Sequence, residues 1–228
     1  MPIALFLGLL FLAAIFLPSM WVRRELKKHA KPRPDLPGTG GELALHLIER
    51  AGLHGVWVEP APEGTDHYDP QTRTVRLSRS HYRGKSIAAV AVAAHEVGHA
   101  LQHASNERLF NLRIALVKAF LPINKIAGML LIVGPFLSLV LRVPGLSIAF
   151  FGLAIFVLAF QFVVHLATLP VEFDASFGKA LPILTGGGYL NDNDLPAVRS
   201  VLRAAALTYV SSALAGVFNI LRLLRVLR

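Results

Sequence analysis

Two histidines and a glutamate occur together in the motif HEVGH at residues 95–99. The surrounding Ala- and Val-rich stretch 86–104 predicts a buried helix, from one face of which His95 and His99 project a turn apart. Two neutral imidazoles at that spacing can bind one zinc ion. Glu96 can then take a proton from the zinc-bound water and pass it to the leaving amine. The competing interpretation is a polar cluster in an ordinary core helix, which the cost of burying unpaired polar groups disfavours.

A catalytic zinc ion needs a third protein ligand and keeps its fourth position for water. The chain has no cysteine, and position 105 is a serine, so a third histidine six residues after the second is absent. His103 lies eight residues after His95, about 12 Å along the helix, which is too far for the same ion. The carboxylates of Glu172 and Asp174 follow an apolar segment and are the remaining candidates. Spacing alone does not decide between these two.

The elements that position these groups are suggested by composition. The chain has 228 residues, of which 54% are hydrophobic, with a mean hydropathy of +0.55 concentrated in blocks. This pattern predicts a mainly α membrane protein with about three to four transmembrane helices, to which the HEVGH motif adds a small zincin-like α+β catalytic domain. The predicted spans are 3–22, 120–141 and 145–169, whereas 198–224 is either a fourth span or a helix at the interface.

Charge predicts how this arrangement is oriented. Residues 23–118 hold 15 Lys and Arg, against Arg142 alone in the turn between the second and third spans. The positive-inside rule therefore places the catalytic site, with Glu172, on the cytoplasmic face of a multi-pass protein of the cell membrane. The predicted regions are an N-terminal transmembrane anchor (1–22), a catalytic region with the HEVGH helix (23–118), a transmembrane hairpin (119–169), and a third-ligand helix with a C-terminal apolar helix (170–228).

Partners are indicated by charge and by short strands. The net charge is +9, but the basic residues cluster beside apolar blocks, and this pattern favours contact with lipid headgroups. Nucleic acid is not expected, since no basic stripe is interleaved with aromatic residues. Strands are predicted at 56–59 and 74–78, separated by a turn at 66–70. An extended protein or peptide substrate, membrane proteins included, could add a strand at the edge 74–78.

Several segments resemble a known family. TDHYDP, VRLS, SIAAVAVAAHEVGHALQH, TLPVEFDAS and AAALTYV occur in this order between residue 38 and about residue 214. They are similar to segments of the YugP-like family of membrane zinc metallopeptidases, whose site resembles that of gluzincins such as the HtpX-type proteases. The resemblance implies a membrane-bound zinc metalloendopeptidase. It implies that His95, His99 and Glu172 bind Zn²⁺ and that Glu96 is the general base.

One position departs from that resemblance. HtpX-type sites carry an acid four residues after the ligand glutamate, where this chain has Ser176. The nearby acid is Asp174, which on a regular helix points roughly 200° away from Glu172. Tyr209 could donate to an oxyanion, and His165 lies within a predicted span, although for each a core role is the simpler interpretation.

Two other functions are weighed against the peptidase. A non-catalytic membrane scaffold would not need Glu96 beside its ligands, and structural zinc sites are usually closed by four protein ligands. A cation transporter would place its ligands at the membrane midplane, whereas the HEVGH helix lies outside the three clearest predicted spans.

Overall fold

The structure is a computed structural model that describes residues 16–208, apart from some side chains in its two longest helices. Its helices are α1 (16–28), α2 (Gly40–Arg50), α3 (Arg79–Tyr82), α4 (Ile87–Ala104), α5 (Arg108–Leu141), α6 (Pro144–Phe173), α7 (Leu181–Gly186) and α8 (195–208). Its strands are β1 (Trp57–Ala61), β2 (His67–Asp69) and β3 (Thr74–Ser78), while Asp174–Ala180 forms a π-helix and Asp192–Asp194 a short 3₁₀-helix.

Helix α4 is the central element of the core. Ser86 caps its start, since the Ser86 hydroxyl accepts a hydrogen bond from the backbone N–H of Ala89. Nearly all of its residues are buried, because α2, the sheet and the π-helix pack around it. The prediction of a buried helix over 86–104 is confirmed, and its apolar residues on every side are explained by these neighbours.

The three strands form one small sheet in the order β1-β3-β2. Strand β1 pairs parallel to β3, and β2 pairs antiparallel to it, with Tyr68 opposite Val75. The prediction that residues 74–78 offer a free edge is therefore wrong. The segment 66–70, interpreted as a turn, contains β2, and β2 covers that side of β3 through backbone hydrogen bonds. The exposed edge next to α4 belongs to β2.

The π-helix packs unusually close to α4. A Cβ atom added at Gly98 would lie 2.8 Å from the backbone oxygen of Ala175, so a side chain there would push the two helices apart. The extra residue per turn of a π-helix also changes which side chains face α4, and such segments are frequent at functional sites. Gly98 and the π-helix together bring the segment after α6 against the HEVGH turn.

The described helices contradict the predicted membrane architecture. Within residues 16–208, no helix combines the length and the apolar character needed to cross a membrane. The prediction of about three to four transmembrane helices is therefore wrong. The apolar runs at 120–141 and 145–169 are parts of longer helices, α5 and α6, which also carry Arg113 and Glu172 of the folded core.

Some predictions concern residues outside this range. Residues 3–15 of the predicted anchor, residues 209–224 of the C-terminal apolar segment, and Tyr209 lie outside the described residues. The side chain of His165 is likewise among those that are not described.

Candidate functional site

Three side chains from two distant segments meet beneath the sheet. His95 and His99 lie on α4, and Glu172 lies in the last turn of α6; all three are at least 97% buried. The Glu172 Oε2 atom is 3.3 Å from His95 Nε2 and 3.2 Å from His99 Nε2. The three residues lie close enough to hold a metal ion. Two ligand atoms on a tetrahedral zinc ion lie about 3.3 Å apart at usual bond lengths, so these separations fit zinc.

The outer nitrogen of His95 is held by Ser176. The Ser176 hydroxyl lies 2.9 Å from His95 Nδ1 and donates its one proton to the backbone oxygen of Leu202 at 3.0 Å. The hydroxyl must therefore accept from His95, which places the imidazole proton on Nδ1. The Nε2 atom of His95 then presents a lone pair towards Glu172.

Gln102 holds the outer nitrogen of His99 in the same way. The Gln102 amide nitrogen donates to the backbone oxygen of Val171 and to Asp174 Oδ2, at 3.0 and 2.8 Å. The amide oxygen is thereby turned towards His99 Nδ1, 2.9 Å away, and accepts its proton. His99 Nε2 consequently also presents a lone pair at the centre of the cluster.

These hydrogen bonds decide what can lie between the three residues. Each imidazole lone pair lies within 3.3 Å of one carboxylate oxygen, and with the tautomers fixed in this way neither neutral imidazole has a proton to share there. Buried acceptors that face one another lose their hydration and repel, so a cation held between them would stabilise the arrangement. The donor set of two neutral imidazoles and a carboxylate suits Zn²⁺ and leaves one tetrahedral position open.

Glu172 is ionised in this setting. Burial alone would raise the pKa of its carboxyl group, but the neighbouring positive charge of Arg113 holds that pKa well below its usual value. The Arg113 guanidinium lies 2.9 Å from Glu172 Oε1. The carboxylate therefore remains available as an anionic ligand at every physiological pH.

Glu96 has the opposite shift. Burial is the main reason why the pKa of its carboxyl group rises to about 7, and the negative charges of Asp66 and Glu172 add to it, against an opposing effect of His95. Glu96 is adjacent to the histidine pair without belonging to the group that could hold the metal. A carboxylate with a pKa near the working pH is suited to accepting and returning a proton.

The other predicted residues lie around this centre. Asp174 reaches neither histidine directly and instead accepts from Gln102, at a point where the π-helix replaces the regular helix assumed from the sequence. His103 lies outside the cluster and pairs with the Tyr68 hydroxyl at 2.9 Å. Asp66 binds Ser78 and His81 through its carboxylate and so fixes the start of β2 beside α4.

Three residues that contact the candidate metal ligands are not predicted by the sequence analysis. Gln102 lies three positions after His99, a spacing that places it next to His99 on a helix and could have revealed it. Ser176 was noted only as the place where an acid is absent. Arg113 carries no local signal, because its position depends on how α5 leaves the turn after α4.

A buried pair of histidines on an HExxH helix, completed by a glutamate from a second helix, defines the class of zinc metallopeptidase sites. The chain belongs to the neutral zinc metallopeptidase family, since the model of the family described as "Putative neutral zinc metallopeptidase" matches residues 4–228. The "Putative membrane protease YugP" of Bacillus subtilis (strain 168) is 41% identical to it over 221 residues. That match covers 96% of this chain and 93% of the relative. No solved structure matches the chain significantly.

Sequence spacing does not decide whether Glu172 or Asp174 is the third ligand, and the zinc affinity of variants distinguishes them. We expect Glu172→Ala to weaken zinc binding by more than the about 10–100-fold that changes outside the ligand shell cost, because it removes a ligand atom. Asp174→Ala should stay within about tenfold of wild type, since Asp174 acts only through Gln102. Titration against a chromogenic chelator measures both. A Glu172 variant that binds zinc like wild type, beside an Asp174 variant that does not, would assign the ligand to Asp174.

Ser176 supplies a second test. Ser176→Ala removes the acceptor of His95 Nδ1, so the imidazole loses its fixed tautomer and orientation, and we expect zinc affinity to fall about 10–100-fold. Ser200→Ala is the matched control, because the Ser200 hydroxyl binds Glu25 away from the site. Equal zinc affinity in both variants and in wild type would show that Ser176 does not orient His95.

Proposed function

We propose that this protein is a zinc-dependent metalloendopeptidase in which His95, His99 and Glu172 bind the metal and Glu96 is the general base. The observation that supports this most directly is that the unprotonated Nε2 atoms of His95 and His99 lie 3.3 and 3.2 Å from the same oxygen of the Glu172 carboxylate. Both histidine tautomers are fixed by outer hydrogen bonds, as is usual for histidines that bind zinc.

The protein side chains divide the hydrolysis between them. Zinc, when bound, supplies Lewis acidity that polarises the scissile carbonyl and lowers the pKa of a water molecule. Glu96 accepts the proton of the attacking water and returns it to the leaving amine, for which a pKa of about 7 is well placed. Ser176 and Gln102 keep the two imidazoles oriented throughout.

The edge strand β2 is the proposed support for the substrate. Its residues His67–Asp69 run beside α4, where Tyr68 contacts His103 one turn after His99. A peptide in extended conformation can add to such an edge through backbone hydrogen bonds. Because an edge strand supports the chain on both sides of the scissile bond, this arrangement suits cleavage within a chain and favours unfolded or loop segments as substrates.

The role of Glu96 is tested by Glu96→Gln. We expect hydrolysis of a casein-type substrate to fall about 10²–10⁴-fold, since the amide cannot take up the proton, while zinc stays bound because no ligand is lost. Glu49→Gln, at an exposed position on α2, is the control and should retain full activity. A Glu96→Gln protein that hydrolyses casein at the wild-type rate would refute the general base.

We further propose that the protein works in contact with a lipid bilayer. The hairpin of α5 and α6 exposes many large apolar side chains, up to 76% for Val140 and 74% for Ile148. Exposed apolar surface of this extent marks an interaction site in a folded protein. The 41% identical relative is named a membrane protease, which supports a bilayer as the interacting surface.

Flotation with phosphatidylcholine–phosphatidylglycerol vesicles tests this contact. We expect the wild-type chain to float with the vesicles and the double variant Val140→Glu/Ile148→Glu to float less, because both charges fall on the exposed apolar surface. The control is Leu45→Glu/Trp57→Glu, which alters exposed apolar residues outside the hairpin. Wild-type protein that stays in the bottom fraction with vesicles present contradicts the proposal.

A further inference from the structure

We propose that Arg113 is a positioning residue that restricts Glu172 to binding the metal through a single oxygen atom. Arg113 lies near the start of α5, and nothing in the HEVGH motif or in the segment around Glu172 indicates it. The inference deepens the proposed function and rests on it for the identity of the ion.

The two oxygens of Glu172 have different surroundings. Oε2 faces the Nε2 atoms of both histidines at 3.3 and 3.2 Å, where the metal would be held. Oε1 faces Arg113, whose Nη1 atom is 2.9 Å away. A carboxylate whose second oxygen is paired with a guanidinium has one oxygen left for a cation.

The position of Arg113 is itself fixed by packing. Its Nη1 atom is 3.4 Å from both ring nitrogens of His99, so it is centred beside that imidazole. Phe110, one turn earlier on α5, is buried and packs against the rings of His99 and His103, with centroid distances of 6.0 and 5.6 Å. The start of α5 is therefore held against the metal helix, and the guanidinium has little freedom to leave Oε1.

Single-oxygen binding matters for the chemistry at this site. A carboxylate that coordinates through both oxygens takes up an additional position around the metal, and a catalytic site must keep one open for water. A cation at Oε1 keeps that position open. It also offsets part of the negative charge that Glu172 and Glu96 bring into a buried site, which would otherwise be costly. Arginine suits this role because it stays charged and its donors are held in a rigid plane.

Zinc K-edge X-ray absorption on the full-length, zinc-loaded protein tests the assignment. In Arg113→Met we expect zinc to remain bound with one more oxygen neighbour than in wild type, because Oε1 is released. Peptide hydrolysis should fall about tenfold or more. Arg113→Lys should move the oxygen count back towards wild type, since an ammonium can also pair with Oε1. Arg108→Met, an exposed arginine on the same helix, is the control and should leave both measurements unchanged.

Arg113→Gln provides a second neutral variant in case Arg113→Met does not fold, which thermal unfolding reports. An unchanged zinc environment in a folded neutral variant overturns the proposal. A folded neutral variant that loses zinc altogether also overturns it, because Arg113 would then be needed for binding and not for the number of oxygens. If the variants change the zinc environment as expected but the wild-type protein hydrolyses no peptide, the proposed function is contradicted while this inference is supported.

Discussion

The ionised carboxylate of Glu172, fully buried between two histidines and an arginine, is the constraint on which the rest of the site depends. Burying an isolated carboxylate would cost several kcal/mol, so the groups around Glu172 must compensate its charge. The histidines cannot donate to it because their protons are committed to Ser176 and Gln102. We propose that a metal cation and Arg113 compensate the charge, each through one oxygen.

The scaffold can be understood as the means of bringing Glu172 to α4. His99 and Glu172 are 73 residues apart in the sequence, and the long α5–α6 hairpin connects them. Gly98 lets the π-helix approach α4 at a distance that no side chain would allow. The same π-helix places Ser176 under His95 and turns Asp174 towards Gln102. Close packing against α4 and control of the His95 tautomer therefore come from one short segment after α6.

Local patterns predicted the parts of this protein that depend on local sequence. The helix at 86–104 follows from its Ala- and Val-rich composition and the strand at 74–78 from its strand-forming residues, and the structure has both. Strand β2 was missed because Asp and Pro at 66–70 favour turns, whereas pairing with β3 overrides that preference. The apolar runs at 120–141 and 145–169 predicted membrane spans, whereas no helix within residues 16–208 has the length and apolar character to cross a membrane.

Only the site residues that lie close together in the sequence could be predicted from it as a group. His95, Glu96 and His99 share one helical turn, so the sequence brings them together, but it could not choose between Glu172 and Asp174. That choice depends on a change from α-helix to π-helix, which no residue type in the segment predicts. Arg113 depends on the direction of α5 after a short turn at 105–107, and such directions are set by tertiary packing, here by Phe110 against His99.

The central claim is that Glu172 Oε2 and the Nε2 atoms of the two histidines enclose one zinc ion. Anomalous diffraction at the zinc edge from crystals of the zinc-loaded protein tests it most directly. The account predicts a single strong peak in contact with these three atoms, with Glu172 Oε1 still beside Arg113. A peak bound through Asp174 or through His103, or histidines that face the metal with Nδ1, would contradict it.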